Sequence, residues 1–400
     1  MTYDYQIVDA DAHVNPPPTF WAEYLPQSLR SQAPRLVYDE KEDCDYVEFE
    51  GTRKKINLIG AQAGRQGADF KMHGRLTDAR NGGWMPAERL EDMDRDGMDV
   101  AVLFGGGPIG TLNEELYMAS FDAYNRWLGD FCSYAPDRFC GVGYIPMREV
   151  DDAIARLKKL ADAGFTAVNI PAFPQPLDKL DFSSGGAAQS SALTGDPLGP
   201  RRYDQPEFDR FWAAAQDLDI ALTFHLGART TRYWEPDKFL ADLVMSKVTM
   251  AEPIAIMTFG GVFQRFPKLR IGSIESGVGW LAWMANYMDE TWAKQRFWTK
   301  NTLVEPPSFY MDRNVYASFI HDSIGIRTRH FPGAKNIMWS SDYPHSETTF
   351  PNSLETIERL FKDIPLDERA EVVGGIAKRF FHTGDGRARK FVPEPKVSVA

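Results

Sequence analysis

Residues 7–13 read Ile-Val-Asp-Ala-Asp-Ala-His, an apolar pair followed by two carboxylates and an imidazole at every second position. In a β-strand, alternate side chains point to the same side of the sheet. Asp9, Asp11 and His13 would therefore share one face of a first buried strand. Charged groups there are costly unless they are paired or bind a metal ion. This heptapeptide predicts a strand that carries part of a polar site into the interior of the fold.

Seven further apolar, β-branched runs follow, and most are separated by segments with helical spacing. Near-continuous apolar strands that alternate with helices are typical of a parallel sheet covered on its outer side. Eight such units predict an α/β protein with a (β/α)8 TIM barrel, and a doubly wound sheet is the alternative. The predicted strands are 5–13, 99–105, 139–145, 165–170, 220–226, 269–275, 314–320 and 336–342. The predicted helices are 86–98, 113–134, 149–163, 206–218, 247–265 and 279–298.

Three long segments follow predicted strands and interrupt the barrel pattern. Residues 14–85, after strand 1, are predicted to form a cap-like insertion. Residues 172–205, after strand 4, are rich in Gly and Ser and predict a flexible loop, while 227–246, after strand 5, mix Arg with aromatic residues at the mouth. Segments after strands line the catalytic mouth of such a barrel. We therefore predict one domain over residues 1–382 and a C-terminal tail at 383–400.

The charge and the cysteine content restrict the function classes. With a formal net charge of −11, the chain lacks the Lys/Arg excess that binds phosphate backbones, so we expect neither nucleic acid nor a membrane as a partner. Cys44, Cys132 and Cys140 are too few and too scattered for a disulfide framework. The first residues do not resemble a signal peptide, and no run reaches the roughly 18–20 apolar residues of a membrane span. We expect a soluble, cytoplasmic protein that acts on a small molecule.

Ionisable side chains fall at the ends of several predicted strands. His225 ends strand 5, Glu275 ends strand 6, and Asp342 ends strand 8 and is followed by His345. In a parallel barrel these strand ends meet at one rim. With the carboxylate and imidazole of strand 1 they form a set of nitrogen and oxygen ligands that zinc or manganese accepts. Each residue alone has an ordinary explanation, such as a core histidine or an Asx-turn, but their joint placement favours one divalent metal ion.

Five segments of the chain match, in order, the motifs of one enzyme family. They are IVDADAH at 7–13, MDRDGMDVAVLF at 93–104, TFHLG at 223–227, GVFQRFPKLRIGSIESGVGW at 261–280 and SSDYPHSE at 340–347. On these residues the chain resembles the amidohydrolase-related family of the amidohydrolase superfamily. The matching branch includes aminocarboxymuconate-semialdehyde decarboxylase and the hydroxybenzoate-type decarboxylases, and the resemblance runs from about residue 6 to 375.

The resemblance has consequences for the cofactor, the ligands and the assembly. It implies a barrel with one divalent metal ion per chain, zinc or manganese. Asp11 and His13 match the ligands of strand 1, His225 matches that of strand 5, and Asp342 matches the aspartate of strand 8 beside the metal. It also implies a homodimer whose substrate is a small molecule, expected to be a carboxylate.

The sequence departs from the family pattern in two places. Many members carry His-x-His on strand 1, where this chain has Asp11-Ala-His13, although carboxylate-x-His variants occur among the decarboxylases. Strand 6 of the family often ends in a catalytic His before Gly-Gly, whereas this chain has Glu275 before Ser-Gly. The Glu that decarboxylases place three residues after that His is Val278 here. The first departure fits a decarboxylase, and the second favours a hydrolase.

Two reactions suit such a site. Our first choice is non-oxidative decarboxylation of a small aromatic or cyclic carboxylic acid, and the alternative is hydrolysis of C–N, C–O or C–C bonds by a metal-activated water. Asp342 is the first candidate for the acid/base, Glu275 is the second, and His345 would orient substrate or relay protons. Arg229 and Arg232 on the mouth loop are candidates to bind a substrate carboxylate. A catalytically silent barrel that only binds a ligand is a third hypothesis, and it predicts no bound metal.

Overall fold

A computed structural model describes residues 4–177, 194–225 and 239–383. Eight parallel strands follow one another around a barrel in sequence order, each overlapping a predicted strand. This order confirms the (β/α)8 barrel, because a doubly wound sheet would reverse its strand order at one point. The barrel strands are β1 (Val8–Val14), β5 (Val100–Gly105), β6 (Phe139–Tyr144), β7 (Ala167–Asn169), β8 (Ala221–His225), β9 (Ile271–Ile274), β10 (Val315–Phe319) and β11 (Ile337–Trp339).

Most helices of the described residues lie outside the barrel, and the helix at Ile376–Phe381 closes its base. They are α1 (Phe20–Tyr24), α2 (Pro86–Asp96), α3 (Glu114–Ser133), α4 (Val150–Asp162), α5 (Asp209–Asp217), α6 (Phe239–Val248), α7 (Ala251–Phe259), α8 (Val262–Arg265), α9 (Gly279–Thr299), α10 (Pro307–Asn314), α11 (Ser323–Thr328), α12 (Ser353–Leu360), α13 (Leu366–Ala370) and α14 (Ile376–Phe381). The single helix predicted over 247–265 is wrong, since three helices occupy this region. Gly261, with a left-handed φ of +71°, separates α7 from α8.

The segment after β1 contains a small antiparallel sheet of three strands. These are β2 (Arg35–Asp39), β3 (Cys44–Phe49) and β4 (Thr52–Lys55). Farther along the same segment, the backbone N–H groups of Gln62 and Ala63 donate to the carbonyl of Pro344, over 2.7 and 3.0 Å. Asn15 also donates from its side chain to the carbonyl of Gly60, over 2.9 Å. These bonds hold part of the insertion beside the loop after β11, at the C-terminal rim of the barrel.

Apolar side chains fill the lumen, and α14 closes its base. Phe380 and Phe381 belong to the same buried cluster as the inward-facing strand residues Val102 and Val142. Gly272 on β9 leaves room for this plug, because a Cβ there would lie 2.8 Å from the ring of Phe380. The base of the barrel is therefore a packed core, and the polar residues of the strands collect at the opposite end.

A β-bulge in β1 changes which of its side chains face the lumen. The register pairs Asp9 with Ala101 but Ala12 with Leu103, so β1 holds one residue more than β5 in this interval. Side chains alternate strictly along a regular strand, and one extra residue reverses the alternation. Val8, before the bulge, belongs to the lumen cluster, whereas Ala12, after it, packs with the outer core.

Asp9 consequently lies on the outer side, at the seam between β1 and β11. Its carboxylate accepts hydrogen bonds from the backbone N–H of Ser341, over 2.8 Å, and from the Ser341 hydroxyl. Asp11 and His13 contribute backbone atoms to the same seam, since Asp11 accepts from the N–H of Asp342 over 2.9 Å. The expectation that Asp9 shares a face with Asp11 and His13 is therefore wrong, and Asp9 instead helps to close the barrel.

Candidate metal centre

Five of the residues singled out from the sequence converge at the C-terminal rim of the barrel. Asp11 Oδ1 lies 3.2 Å from His13 Nε2 and 3.1 Å from His225 Nε2. Asp342 Oδ1 lies 3.2 Å from His13 Nε2. Glu275 Oε2 lies 3.8 Å from His13 Nε2 and 3.7 Å from His225 Nε2. The ends of β1, β8, β9 and β11 thus bring two imidazoles and three carboxylates to one place.

These side chains form two overlapping groups whose ligand atoms lie within 4.8 Å of one another. Asp11, His13, His225 and Glu275 make up one group, and all four are buried. The other group contains His13, Glu275, Asp342 and the partly buried His345. His13 and Glu275 belong to both, so the cluster is continuous. Glu275, which we predicted as an acid/base, thereby also lies in a ligand position.

Several buried atoms of this cluster have no hydrogen-bond partner. They are His13 Nε2, Asp11 Oδ2, Glu275 Oε2 and both carboxylate oxygens of Asp342. A buried polar group without a partner costs roughly 1–3 kcal/mol, and more when it is charged. A divalent cation that accepts nitrogen and oxygen ligands would satisfy these atoms together. The donor set therefore fits a metal ion.

The charges of the cluster also favour a cation. Burial alone lowers the pKa of His13, but the carboxylates of Asp11 and Asp342 beside its ring overcome this effect and raise the pKa to about 10. Burial raises the pKa of Asp11, yet His225 and His13 hold that pKa below its ordinary value. His345 and His13 do the same for the pKa of Asp342. The two carboxylates are charged at neutral pH, so positive charge is stabilised between them.

The backbone is strained at two carboxylates of the cluster. Glu275 and Asp342 have left-handed φ values of +57° and +56°, which residues other than Gly rarely adopt. Ile274, just before Glu275, belongs to the lumen cluster, so a regular strand would point Glu275 outward. The left-handed conformation turns Glu275 toward the imidazoles instead. A hydrogen bond of 2.8 Å from its N–H to the Ser318 hydroxyl supports this conformation.

His345 packs directly against the cluster. Its ring stacks on that of His13, with centroids 3.7 Å apart and planes at 23°. Its Nδ1 lies 2.9 Å from Asp342 Oδ1, and its backbone N–H donates to the Asp342 carbonyl over 2.9 Å. On the other side, a Cβ at Gly60 of the insertion would lie 3.4 Å from the ring. His345 is thus held between the insertion and the ligands.

Lys247 on α6 is a functional candidate that our reading of the sequence missed. Its Nζ lies 2.9 Å from Glu275 Oε1 and 3.1 Å from Glu347 Oε2. Burial lowers the pKa of Lys247, but the charges of Glu275, Glu347 and Asp342 raise it well above its ordinary value, so the ammonium remains charged. No sequence spacing indicated Lys247, because its helix meets the rim only through tertiary packing.

Arg89 on α2 stabilises the backbone next to the ligands. Its buried guanidinium donates to the backbone carbonyl of His13 over 2.9 Å and lies 4.0 Å from the centre of the Tyr343 ring. The Tyr343 hydroxyl in turn donates to Asp92 over 2.6 Å. Arg89 and Tyr343 therefore fix the backbone on both sides of the β1–β11 seam, next to the ligands.

Arg229 and Arg232, our candidates for binding a substrate carboxylate, lie outside the described residues. The same holds for 226–238 as a whole, so only the end of the predicted mouth loop 227–246 is described, and it is helical as part of α6. Among the described residues, no helix is both long enough and apolar enough to cross a membrane.

Several known proteins of similar sequence are decarboxylases. The 2-amino-3-carboxymuconate-6-semialdehyde decarboxylase of Dictyostelium discoideum is 23% identical over 317 residues, which cover 74% of this chain and 76% of that protein. A gamma-resorcylate decarboxylase of Rhizobium radiobacter is 24% identical over 274 residues, which cover 64% of this chain and 76% of that protein.

Solved structures share the fold over almost the whole chain. An amidohydrolase from Mycobacterium avium subsp. paratuberculosis K-10 superposes with a TM-score of 0.73 at 17% identity, covering 95% of this chain and 100% of that one. A dihydroxybenzoic acid decarboxylase from Polaromonas sp. JS666, with bound manganese and the inhibitor 2-nitroresorcinol, gives 0.60 at 17% identity, covering 94% and 97%. The sequence model of the amidohydrolase family matches residues 8–383, from β1 to the end of the described residues, and the chain is therefore a member of the amidohydrolase family.

Proposed function

We propose that the chain is a metal-dependent carboxy-lyase that removes CO2, without oxidation, from a small aromatic or cyclic carboxylic acid. The observation that carries this proposal is the convergence of Asp11, His13, His225 and Asp342, of which Asp11, His13 and Asp342 carry buried ligand atoms without a hydrogen-bond partner. The decarboxylases of similar sequence support the choice of reaction.

We assign one divalent metal ion to this cluster. Asp11, His13, His225 and Asp342 would hold it. Asp11 and His225 belong to the first group of ligand atoms and Asp342 to the second, and His13 and Glu275 belong to both. Two imidazoles with carboxylates suit zinc and manganese alike, and the Polaromonas relative contains manganese. When bound, the ion supplies positive charge that holds the substrate carboxylate and an adjacent oxygen.

Each turnover requires one proton, which the remaining residues of the site supply. Decarboxylation breaks the bond between the ring carbon and the carboxylate; the electron pair stays on the ring carbon, which then takes up a proton as CO2 leaves. Asp342, whose carboxylate is charged in the free protein, takes up this proton by way of His345 and passes it to the ring carbon. His345, with Nδ1 at 2.9 Å from Asp342 Oδ1, replaces it from solvent, since about a quarter of the His345 side chain is exposed.

We propose that the charges and the shape of the rim favour the binding of a substrate that contains a negatively charged ring. Lys247 offsets the charges of Glu275 and Glu347, which would otherwise repel a carboxylate. The ring of Phe104 lies 4.6 Å from that of His225, so the apolar core of the lumen lies next to the ligands. Arg229 and Arg232 remain our candidates for binding the substrate carboxylate.

A hydrolase is the second candidate, and Glu275 favours it. Its Oε2 is buried without a hydrogen bond, while Lys247 holds Oε1 over 2.9 Å. A carboxylate held in this way beside the ligands is suited to take a proton from an attacking water.

We further propose a cytoplasmic homodimer, as the family resemblance implies, with no nucleic-acid or membrane partner. Residues 1–382 would form a single domain in which 14–85 cap the barrel. Residues 383–400 would form a tail.

The test is metal analysis combined with activity panels on protein expressed with added manganese or zinc. We expect about one ion per chain and CO2 release from one or more hydroxybenzoates. Turnover confined to amide or lactone panels would establish the hydrolase and reject the carboxy-lyase. Less than about 0.2 ion per chain after supplementation would favour the silent barrel.

A further inference from the structure

The insertion after β1 reaches the candidate metal centre through one short turn. We call it the cap turn; it consists of residues 58–63, of which Ile59–Ala61 form a single 3-10 helical turn. A Cβ at Gly60 would lie 3.4 Å from Cδ2 and 3.5 Å from Nε2 of His345, so the backbone of Gly60 lies close to one side of this ring. The cap turn is therefore in a position to restrict the movement of His345.

Hydrogen bonds to two neighbouring segments hold the cap turn in this position. The side chain of Asn15, which directly follows β1, donates from Nδ2 to the carbonyl of Gly60 over 2.9 Å. The backbone N–H groups of Gln62 and Ala63 donate to the carbonyl of Pro344, which immediately precedes the histidine, over 2.7 and 3.0 Å. The cap turn is thereby bonded both to the end of β1 and to the loop after β11, the two segments that carry ligands of the seam.

A buried glutamine closes the cap turn from the inside. Gln62 is only 2% exposed, and its Nε2 donates to the carbonyls of Leu58 and Lys71, each over 2.7 Å. Its Oε1 accepts a hydrogen bond from the N–H of Lys71 over 3.3 Å. A buried amide whose polar atoms are all bonded specifies one backbone arrangement, because any other arrangement would leave some of them without partners. Gln62 therefore fixes the conformation of the cap turn, and Asn15 fixes its place.

We propose that Asn15 and Gln62 are positioning residues, which hold the cap turn against His345 and so keep its ring in place for proton transfer. The ring of His345 stacks on that of His13, with centroids 3.7 Å apart, and its Nδ1 lies 2.9 Å from Asp342 Oδ1. A displacement of about 1 Å from a reactive geometry can cost up to ~100-fold in rate. This inference rests on the proton path proposed above and adds the residues that set its geometry.

The first test measures how fast diethyl pyrocarbonate, which acylates accessible imidazoles, labels His345 in the full-length enzyme prepared with added manganese. Mass spectrometry of the peptides gives the rate. We expect labelling to be at least about fivefold faster in Asn15→Leu and in Gln62→Leu, because the cap turn then opens locally. Asn15→Gln keeps the amide donor and should label at nearly the wild-type rate. Asn336→Leu is the matched control, since Asn336 also donates from its side chain to backbone carbonyls, but at the base of the barrel.

The second test measures turnover of a hydroxybenzoate by the same proteins. The kcat of Asn15→Leu and Gln62→Leu should fall about 10–100-fold, while KM changes far less, since Lys247 and the proposed ligands are untouched. Circular dichroism and metal content close to those of the wild type verify that each variant is folded. An equal fall of kcat in Asn336→Leu would show a general loss of stability and contradict a positioning role.

The outcomes separate this inference from the proposed function. If both folded Leu variants label at the wild-type rate, the cap turn does not hold His345, and the inference is wrong whatever reaction the enzyme catalyses. If labelling is faster but kcat is unchanged, the position of the ring has no part in turnover, and that half of the inference is rejected. If the wild type releases CO2 from no hydroxybenzoate, the proposed function fails, while the labelling rates still decide whether Asn15 and Gln62 position His345.

Discussion

His13 is the residue at which the separate parts of the site meet. Its Nε2 lies 3.2 Å from carboxylate oxygens of both Asp11 and Asp342, while its ring stacks on His345. Its backbone carbonyl accepts a hydrogen bond from Arg89 over 2.9 Å. Contacts of this kind orient a ligand in advance, and their loss in metal sites typically lowers affinity by about 10–100-fold. The imidazole of His13 is thus positioned by its surroundings before any ion binds.

Asp342 is expected to serve turnover more than ion binding. In Asp342→Asn the amide oxygen still offers a ligand atom, but the group no longer exchanges a proton. We expect most of the metal to be retained and kcat to fall at least ~100-fold, the usual contribution of a proton-transfer group. Metal content and kcat, measured on the same preparation, check this, with the exposed Asp363→Asn as control. A near-normal kcat would remove Asp342 from the proton path.

Lys247 is expected to act on substrate binding through charge. Without its ammonium, Glu275 and Glu347 present uncompensated charge to an anionic substrate. An unpaired charge a few ångströms away costs more than ~1.4 kcal/mol, so KM in Lys247→Met should rise about tenfold or more. Lys247→Arg, which keeps the charge, should recover most of this loss, as steady-state kinetics would show. Equal KM values for the Met and Arg variants would contradict the assignment.

Helices α2 and α12 are joined by a buried carboxylate whose charge opposes folding. Asp96, at the end of α2, accepts hydrogen bonds from the N–H of Ser353, over 3.0 Å, and from its hydroxyl at the start of α12. Burial nevertheless raises the pKa of Asp96 to about 6, from 3.8. The folded protein therefore holds this proton more tightly than the unfolded chain does.

The stabilisation from this proton is complete below about pH 4 and is lost as the pH rises through about 6. Its total is at most about 3 kcal/mol, since one pKa unit corresponds to about 1.4 kcal/mol. Between pH 5 and pH 8, the wild type should thus lose more stability than Asp96→Asn, which carries no titrating group there. Urea unfolding midpoints at both pH values measure the difference. Parallel pH dependence in the two proteins would show that Asp96 does not titrate in this range.

Helices and strands with a clear hydrophobic pattern could be predicted from the sequence, and elements without such a pattern could not. All eight barrel strands are short apolar runs and were found. The antiparallel sheet was missed, because a strand such as β4 (Thr52–Lys55) is exposed throughout and has no apolar face. The bulge in β1 was also missed, since strict alternation over 7–13 suggests a regular strand.

The candidate site was predictable only where residues stand at strand ends. His225 and Asp342 could be placed together because the ends of parallel strands meet at one rim. Lys247 and Arg89 could not, since they lie on helices whose contact with the rim depends on packing. Glu275 was found as a residue, but its direction depends on a left-handed φ that no local pattern signals.

At the scale of the whole molecule, the proposed ion would link the first and the last strand of the barrel. Asp11 and His13 belong to β1, and Asp342 follows β11, so the ligand set is complete only when the barrel is closed. An ion that binds only the folded state at 100 times its Kd stabilises it by about 2.7 kcal/mol. Chelation should therefore lower the melting temperature of a chain of this size by roughly 3 °C. His225→Ala should melt alike with and without chelator, and an unshifted wild type would argue against a bound ion.

The aromatic plug at the base of the barrel has a consequence for how the protein is made. Phe380 and Phe381 fill the bottom of the lumen, yet they follow the first strand by nearly the full length of the barrel sequence. Until α14 has been synthesised, the strand residues at the base of the lumen lack these two aromatic partners. A chain interrupted before residue 376 would therefore leave apolar side chains at the base of the lumen exposed to water. Helix α14 therefore completes the base of the lumen only after all eight strands have been synthesised.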